Sequence, residues 1–232
     1  MKKRNKKPKI SLIILAKNEG KSLPFLLSRL RRFKGEIILV DGASTDKTAE
    51  IAKKYKVPLF QDQGRGKGGG IKLGAKKAKG EILVFMDGDG SHDPGEIKAL
   101  TRPILKNQAD HVIGSRILGG SDESHGTLNR FVRETASHLI TVLINYRFGT
   151  DLSDSQNGFR AIKRDVFIKL AICEEGFSVE QELLIKSLKK GFKVVEVPAH
   201  EFARRFGKSR ISLRKIWLRH LFSLFKYLFF YD

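Results

Sequence analysis

The sequence predicts an α/β protein with a mainly parallel β-sheet flanked by helices. Apolar stretches of strand length alternate with stretches of helical periodicity. The predicted strands are residues 10–16, 36–40, 57–60, 82–86 and 111–114. The predicted helices between them are residues 22–32, 48–55, 71–79 and 94–106. Repeated strand–helix units favour right-handed crossovers, which make neighbouring strands parallel.

Composition limits the class of protein. With 232 residues, 41% of them hydrophobic, the chain can bury one large core. Its 45 Lys and Arg against 25 Asp and Glu give a net charge of +20, which favours a polyanionic partner but does not choose among nucleic acid, acidic membrane and phosphorylated substrate. Cys173 is the only cysteine, so no internal disulfide forms, which fits a reducing compartment.

The pattern changes after Arg116. A polar loop to residue 126 precedes a helix over 128–148, and a mixed segment ends at Pro198. We expect a basic tail over residues 1–9, one domain over 10–210 and an amphipathic helical segment over 211–232. The apolar run at 10–16 is too short for a membrane-spanning helix and is not followed by a cleavage-site pattern, so no signal peptide is predicted.

Acidic residues stand where the fourth predicted strand ends. Asp87 and Asp89 follow a buried apolar run and are separated by a glycine. Ligands of parallel sheets bind at the carboxyl ends of the strands. Two carboxylates beside flexible backbone suit a hard cation that also carries phosphate oxygens, although a solvated turn has the same composition.

A second polar cluster, DGASTD at residues 41–46, follows the second strand. Ser44, Thr45 or Asp46 can cap the next helix. Capping does not require Asp41, which can accept hydrogen bonds from a base or ribose. Residues 63–70 form a glycine-rich stretch with two cations, expected as flexible backbone before a helix that meets phosphate. This stretch lacks the spacing of a P-loop, and a simple linker is the alternative.

In this order, the segments resemble the family 2 glycosyltransferases of GT-A fold, which are Rossmann-like. The resemblance rests on ILAKNE, VDGASTDKT, GKG and FMDGDGSH at residues 14–19, 40–48, 66–68 and 85–92. Later segments are similar to the polyprenyl-phosphate (dolichyl-phosphate) sugar synthases within that family. They read GSR, DSQNGFR, EVP and RFGKSR at residues 114–116, 154–160, 196–198 and 205–210.

The resemblance implies inverting transfer of a hexosyl group from a nucleotide sugar to dolichyl or polyprenyl phosphate, with Mg²⁺ or Mn²⁺ as cofactor. Asp41 is then expected to contact the nucleoside, and Asp87 and Asp89 to bind the metal and the diphosphate. The expected donor site comprises Ala16, Asn18, Glu19, Asp41, Ser44, Lys67, Asp87 and Gly88. Glycines at 88 and 90 depart from the Asp-Ala-Asp-Leu of many GDP-mannose members. This departure favours a UDP-sugar, with GDP-mannose as the alternative.

A lipid phosphate acceptor is ionised near neutral pH, so it requires no strong general base. Positive side chains must instead hold two anions together and stabilise the leaving diphosphate. The expected acceptor-phosphate residues are Arg116, Arg130, Arg133, Arg205, Lys208 and Ser209. The family also has an acid near Glu180 and Glu182 that orients sugar hydroxyls, and Glu182 is slightly preferred. Asp89, Arg116 and Glu182 are the expected catalytic residues.

The last predicted helix, residues 213–230, has a wide apolar face interrupted by a narrow polar stripe. The stripe comprises Ser212, Lys215, Arg219, Ser223 and Lys226. This pattern, with Trp217, Tyr227 and Tyr231 near basic residues, favours a helix lying in a membrane interface. The helix over 128–148 has a similar pattern. We therefore expect a peripheral or monotopic protein at the cytoplasmic face of a membrane, while packing of either helix on the protein's own core stays open.

Two other functions are compatible with parts of the sequence. A family 2 enzyme that acts on a sugar hydroxyl would need a carboxylate base, at Glu180 or Glu182. A basic nucleic-acid-binding module would explain the net charge of +20 and the Lys-rich N-terminus. No recognised nucleic-acid motif or basic–aromatic strand pattern is found, so no nucleic-acid partner is expected.

Overall fold

The structure is a computed structural model that describes residues 9–122, 128–206 and 221–230. Most of the predicted basic tail and much of the predicted helix over 213–230 lie outside these ranges. Lys208 and Ser209 also lie outside them, as do the side chains of Arg130 and Arg133. The acceptor-phosphate roles expected of these four residues remain predictions.

The core of the fold is a seven-stranded sheet in the order β3-β2-β1-β4-β6-β5-β7. The strands are β1 (Ile10–Ala16), β2 (Glu36–Asp41), β3 (Leu59–Gln61), β4 (Ile82–Asp87), β5 (His111–Ser115), β6 (Arg160–Lys163) and β7 (Val194–Pro198). β6 is antiparallel to β4 and β5, and the other neighbouring strands are parallel. The predicted α/β class with a mainly parallel sheet is confirmed.

Helices cover both faces of this sheet. They are α1 (Leu23–Arg29), α2 (Thr48–Lys54), α3 (Gly66–Lys77), α4 (Ile97–Leu105), α5 (Arg116–Gly119), α6 (Leu128–Phe148), α7 (Arg164–Leu170) and α8 (Val179–Lys189). Short 3₁₀ turns, Leu30–Arg32 and Pro94–Glu96, follow α1 and precede α4. Residues 221–225 are also helical and continue into a π-helical turn, Lys226–Phe230.

Successive strand residues point to opposite faces, and both faces are buried. Along β1, Leu12 and Ile14 pack in the cluster beneath α1 and α4, whereas Ile13 packs in the cluster beneath α3, α7 and α8. All three side chains have 0% exposure. Burial on both faces explains why the strands read as continuous apolar runs rather than alternating ones.

Helix α3 begins earlier than the predicted span of 71–79, because the glycine-rich stretch forms its first turns. The backbone N–H groups of Gly68 and Gly69 donate to Glu175 O at 2.8 and 3.4 Å. An added Cβ on Gly68 would lie 2.2 Å from Glu174 O, so a side chain at this position would collide with the backbone of the 174–175 loop. The expectation of flexible backbone is therefore wrong for this stretch, which is helical from Gly66, and Gly68 allows α3 to meet the 174–175 loop.

The C-terminal helical segment, residues 221–230, packs beside α6. Leu224, Tyr227 and Leu228 share a buried cluster with Ile140 and Ile144 of α6. Ser223 from the predicted polar stripe is buried, and the phenylalanines of this segment face outward: Phe222, Phe225, Phe229 and Phe230. Within the described ranges, no helix combines the length and apolarity that crossing a membrane requires.

Gly74 provides a test of the packing between α3 and β1. Alanine has a helix propensity about 1 kcal/mol better than glycine. However, a Cβ at residue 74 would lie 2.4 Å from Ile13 Cγ2, inside the core. We expect Gly74→Ala to lower the free energy of unfolding by about 1 kcal/mol or more, because overpacking outweighs propensity. Urea unfolding measures this change. Exposed Lys76→Ala in the same helix is the control, and a more stable Gly74→Ala protein would contradict the packing argument.

Candidate functional site

The strand order places a crevice at the carboxyl ends of β1 and β4. β2 and β3 lie on one side of β1, whereas β4 returns to the other side, and ligands bind where a sheet changes direction in this way. Asp41 pairs in register with Ala16, and Asp87 with Leu15. The two aspartates therefore flank the end of β1, two strand spacings or roughly 10 Å apart.

Gly88 lets the chain turn tightly against β1. Its N–H donates to Leu15 O at 2.8 Å. An added Cβ would lie 3.0 Å from Ala16 Cβ and 3.1 Å from Leu15 O. Two residues later Gly90 has a φ of 81°, in the left-handed region that favours glycine. The conformation and packing of the backbone thus explain why glycine occurs on each side of Asp89, independently of any bound sugar.

Hydrogen bonds tie the loops after β1 and β2 together. Asp41 is 1% exposed, and its Oδ1 accepts from both the N–H and the hydroxyl of Ser44. Ser44 Oγ in turn accepts the N–H of Asn18 at 2.7 Å, and Asn18 Oδ1 accepts the N–H of Thr45 at 2.8 Å. These four residues form a rigid edge beside the crevice, and the expected donor residues Asn18, Asp41 and Ser44 belong to it.

Of the three residues expected to cap α2, it is Asp46, rather than Ser44 or Thr45, that accepts a hydrogen bond from the start of the helix. Its Oδ1 accepts the N–H of Thr48 at 3.0 Å, and its Oδ2 accepts the N–H of Gly20 at 2.9 Å. Burial raises the pKa of Asp46, but hydrogen bonds from Thr48 and Gly20 outweigh it and hold the pKa below its usual value. The same carboxylate therefore joins the helix to the loop after β1.

Lys67, in the first turn of α3, joins two carboxylates on the β4 side. Its Nζ lies 3.0 Å from Asp87 Oδ2 and 2.8 Å from Glu180 Oε1. Burial lowers the pKa of Lys67, but the two negative charges outweigh it and raise the pKa above its usual value. The pKa of Asp87 is lowered despite burial, chiefly by Lys67, with further contributions from His92 and Arg204.

The loop over residues 154–160 lies against this ion-paired group. A Cβ on Gly158 would lie 2.6 Å from Lys67 Nζ and 3.3 Å from Asp87 Oδ2. Arg160, 1% exposed, fixes the loop by donating to Asn157 O at 2.6 Å, Ser155 O at 2.5 Å and Glu180 O at 3.0 Å. Burial lowers the pKa of Arg160 to about 10. The DSQNGFR motif thus packs against Lys67 and Asp87 and helps to hold their positions.

Arg204, which was not among the residues expected from the sequence, joins a second pair of carboxylates. One guanidinium nitrogen lies 2.7 Å from Asp89 Oδ2 and another 3.3 Å from Glu19 Oε1. Asp89 Oδ1 also accepts from the N–H and hydroxyl of Ser91, at 3.0 and 2.7 Å. The neighbouring Arg205, the predicted residue, is exposed and lies 3.6 Å over the ring of Phe25. No sequence pattern separates two adjacent arginines, so only the backbone path could distinguish them.

Glu180, and not the slightly preferred Glu182, shares a cation with Asp87, while the role of either acid in orienting sugar hydroxyls stays a prediction. Glu182 is fully buried, and its carboxylate accepts the N–H groups of Cys173 and Glu174 at 2.8 and 2.7 Å. It also pairs with Lys186 at 2.7 Å, one helical turn away. Glu180 is the acid beside Asp87, through Lys67. Residues two apart on a helix lie on different faces, which is why only one of them can reach the crevice.

Arg116 begins α5 at the end of β5, with its charge already matched. Its Nε and one terminal nitrogen donate to the two carboxylate oxygens of Asp154 at 2.6 and 2.9 Å, and Glu201 lies 3.6 Å away. Burial lowers the pKa of Arg116, but these carboxylates outweigh it and raise the pKa further above its usual value. In this arrangement Arg116 clamps the 154–160 loop to β5 instead of presenting an unmatched cation.

The acidic side chains of the crevice are of the type that binds divalent metals, although within the described ranges no three such side chains form a complete metal site on their own. Lys67 bridges Asp87 and Glu180, and Arg204 bridges Glu19 and Asp89. Carboxylate oxygens are the ligands that Mg²⁺ prefers. The expected Mg²⁺ or Mn²⁺ therefore fits the residues present.

Replacing Lys67 with methionine should expose the energetic role of its ion pairs. Two mutually close carboxylates would then lose their cation, and we expect a loss of about 3 kcal/mol at pH 7. The lowered pKa of Asp87 stabilises the fold above its unfolded value of 3.8, and the raised pKa of Lys67 stabilises it below 10.5. The difference between the two proteins should therefore shrink at acidic pH, because Asp87 without Lys67 is protonated more readily, and it should shrink again as pH rises above 10.5.

Urea unfolding at a series of pH values measures this difference. Lys72→Met is the matched control. Lys72 lies in the same helix, but its ion pair is weak because its partner Glu175 is exposed and 4.0 Å away. A Lys67→Met loss no larger than that of the control would contradict the assigned ion pairs.

Comparison with known sequences shows the family of this chain. Residues 11–171 match the family model described as glycosyl transferase family 2. A dolichol-phosphate mannosyltransferase of Pyrococcus furiosus is 33% identical over 231 residues, covering 94% of this chain and 64% of that protein. A UDP-N-acetylglucosamine–dolichyl-phosphate N-acetylglucosaminyltransferase of Methanococcus voltae is 28% identical over 225 residues, covering 87% and 88%. The chain thus spans about two thirds of one relative and most of the other.

Comparison with solved structures supports the fold. Glucosyl-3-phosphoglycerate synthase from Mycobacterium tuberculosis, crystallised with Mn²⁺, UDP and glucosyl-3-phosphoglycerate, superposes with a TM-score of 0.75 at 20% identity. The superposition covers 97% of this chain and 81% of that one. The expected GT-A fold is confirmed. Together with the match over residues 11–171, it shows that this chain is a glycosyltransferase of family 2.

Proposed function

We propose that this protein transfers a hexosyl group from a nucleotide sugar to dolichyl or polyprenyl phosphate, with inversion at the anomeric carbon. Relatives from Pyrococcus furiosus, Methanococcus voltae and Micrococcus luteus are named as transferases of dolichol, dolichyl or undecaprenyl phosphate. The carboxylates at the ends of β1 and β4 supply the donor and metal side of the site. The choice of a phosphate acceptor rests on the ion pairs that Glu180 and Glu182 form.

Both glutamates expected as bases for a hydroxyl acceptor are engaged in ion pairs. Glu180 Oε1 lies 2.8 Å from Lys67 Nζ, and Glu182 Oε1 lies 2.7 Å from Lys186 Nζ. Proton transfer to either carboxylate would sacrifice a buried ion pair, which is costly. A phosphate monoester avoids this cost because its oxygen is already ionised near neutral pH. The ion pairs therefore favour a phosphate acceptor over a sugar hydroxyl.

Asp87 and Asp89 would hold the divalent metal and, through it, the donor diphosphate. When bound, Mg²⁺ or Mn²⁺ would offset the negative charge of the leaving diphosphate. Asp41 and the loop it fixes stand where the nucleoside is expected, on the other side of β1. An acceptor phosphate oxygen then forms a bond to the anomeric carbon while the bond from that carbon to the diphosphate oxygen breaks. The nucleoside diphosphate leaves, and the configuration is inverted.

Arg205 is the proposed acceptor-phosphate residue whose position is best supported. Its side chain is exposed and lies over the ring of Phe25, and it follows Arg204 in the chain. Arg116 contributes less in this proposal, since Asp154 and Glu201 already balance its charge. An α-linked lipid phosphate sugar formed from an α-linked donor would contradict the inverting mechanism.

The donor is proposed to be a UDP-sugar, with GDP-mannose as the alternative. Relatives named for mannose and for N-acetylglucosamine transfer both resemble this chain. Gly88 is explained by its contact with β1, which weakens it as an indicator of the donor. A direct assay is therefore needed to choose the nucleotide.

Incubation with labelled UDP- and GDP-sugars, polyprenyl phosphate and Mn²⁺ or Mg²⁺ tests the proposed reaction. We expect label to move into the organic phase with one nucleotide class, and Asp89→Asn to reduce the rate at least about 100-fold. Lys76→Ala, a change at an exposed position of α3 outside the proposed site, is the control for general damage. Label that reaches only water-soluble products would instead support a hydroxyl acceptor.

We further propose that the protein acts as a peripheral or monotopic enzyme at the cytoplasmic face of a membrane. Phe222, Phe225 and Phe229 are 71%, 54% and 61% exposed on the C-terminal helical segment. α6, which packs beside this segment, exposes further apolar side chains, namely Val132, Leu139, Val142, Leu143 and Tyr146. Adjacent apolar surfaces on a chain of net charge +20 suit an anionic lipid surface.

Replacing Phe222, Phe225 and Phe229 together with serine should weaken binding to vesicles that contain anionic lipid. Each buried aromatic side chain contributes on the order of 1–2 kcal/mol to apolar burial, so at least a 10-fold loss is expected. Vesicle co-sedimentation measures it. Ile168→Ser, which removes a 64% exposed side chain from α7, is the control. Equal binding of the triple variant and the control protein would refute this membrane surface.

A further inference from the structure

Two adjacent arginines make different contacts at the crevice. Arg204 lies 2.7 Å from Asp89 Oδ2 and 3.3 Å from Glu19 Oε1, whereas Arg205 stacks on Phe25. Asp89 is a proposed metal ligand. A cation of the chain itself therefore contacts a carboxylate that the metal needs.

The environment of this contact makes it more than a surface ion pair. The side chains of Arg204, Asp89 and Glu19 are 28%, 9% and 11% exposed. Water screens charges less in such a position than at a fully exposed surface, so attraction between them is stronger. A metal ion approaching Asp89 must compete with this guanidinium.

Backbone hydrogen bonds hold the segment that carries Arg204. The N–H of Phe202 donates to Ser91 O at 2.8 Å, two residues from Asp89. Glu201 exchanges hydrogen bonds with the strip over residues 120–122: its N–H donates to Gly120 O at 3.0 Å and its O accepts from Asp122 N at 2.8 Å. Since the main chain is fixed independently, the long Arg204 side chain can change partner without loss of the fold.

We propose that Arg204 is an internal counter-ion of the metal site, which opposes metal binding at Asp89 until a nucleotide diphosphate gives the guanidinium another anionic partner. This inference rests on the metal assignment in the proposed function. In the structure, Arg204 balances Asp89 and Glu19. In the loaded site, the metal balances Asp89 and Arg204 moves to the diphosphate, whose phosphate oxygens match the planar guanidinium. Metal and nucleotide therefore bind cooperatively, and each tightens the other by the same factor.

Titration of the full chain with Mn²⁺, with free Mn²⁺ followed by electron paramagnetic resonance, tests the inference without any acceptor. In the absence of nucleotide, Arg204→Gln should bind Mn²⁺ about 10-fold more tightly than the unmodified protein, the factor that corresponds to about 1.4 kcal/mol. The tightening of Mn²⁺ binding by UDP or GDP should be correspondingly smaller in the variant. Arg204→Lys keeps the charge but loses the two-nitrogen contact, so its Mn²⁺ affinity should fall between the two.

Arg205→Gln is the matched control, because it removes the same charge from the next residue, which contacts Phe25 instead of the carboxylates. Its nucleotide-free Mn²⁺ affinity should equal that of the unmodified protein. Thermal unfolding checks that all variants are folded. Equal Mn²⁺ affinities for Arg204→Gln and Arg205→Gln overturn the counter-ion role.

The outcomes separate this inference from the proposed function. If none of the proteins binds Mn²⁺ even with UDP or GDP, the metal assignment to Asp87 and Asp89 fails and the inference fails with it. If Mn²⁺ binds but UDP and GDP tighten it equally in the unmodified protein and in Arg204→Gln, only the inference fails. Transfer to an acceptor other than polyprenyl phosphate would refute the proposed function and leave the Mn²⁺ result unchanged.

Discussion

The structure depends on bringing four carboxylates together at the carboxyl ends of β1 and β4. Glu19, Asp87, Asp89 and Glu180 come from three separate parts of the chain, and like charges so close would repel. Lys67 and Arg204 offset that repulsion, each by bridging two of the acids. The same carboxylates supply oxygen ligands of the kind that a divalent cation binds.

Each bridging cation also links a distant segment to the sheet. Lys67 lies in the first turn of α3, whose glycines leave room for the backbone of residues 174–175 to pack closely. That backbone is held in turn by the buried carboxylate of Glu182 and, through the side chain of Glu174, by Tyr227 of the C-terminal helical segment. The donor-side charges and the exposed phenylalanines are therefore connected through one set of packed residues, although neither touches the other.

Much of the fold follows from local patterns. The strands β1, β2, β4 and β5 are short, continuous apolar runs bounded by polar residues, so the sequence alone locates them within a residue or two. β6 was not assigned as a strand because Arg160 and Lys163 interrupt its apolar residues, and it is antiparallel between two strands distant in sequence. The early start of α3 was also not predicted, because glycine has a low helix propensity. Glycine is present there because the neighbouring backbone leaves no room for a side chain at residue 68.

The sequence by itself determined the α/β class, the acidic strand ends at Asp41, Asp87 and Asp89, and the family, because these depend on residue type and order along the chain. The tertiary structure decided which acid of Glu180 and Glu182 lies beside the crevice and which arginine of Arg204 and Arg205 contacts Asp89. Those choices depend on the direction of a side chain from a helix or loop and on partners far away in sequence. Ion pairing between distant segments follows from the path of the backbone, and no local pattern encodes it.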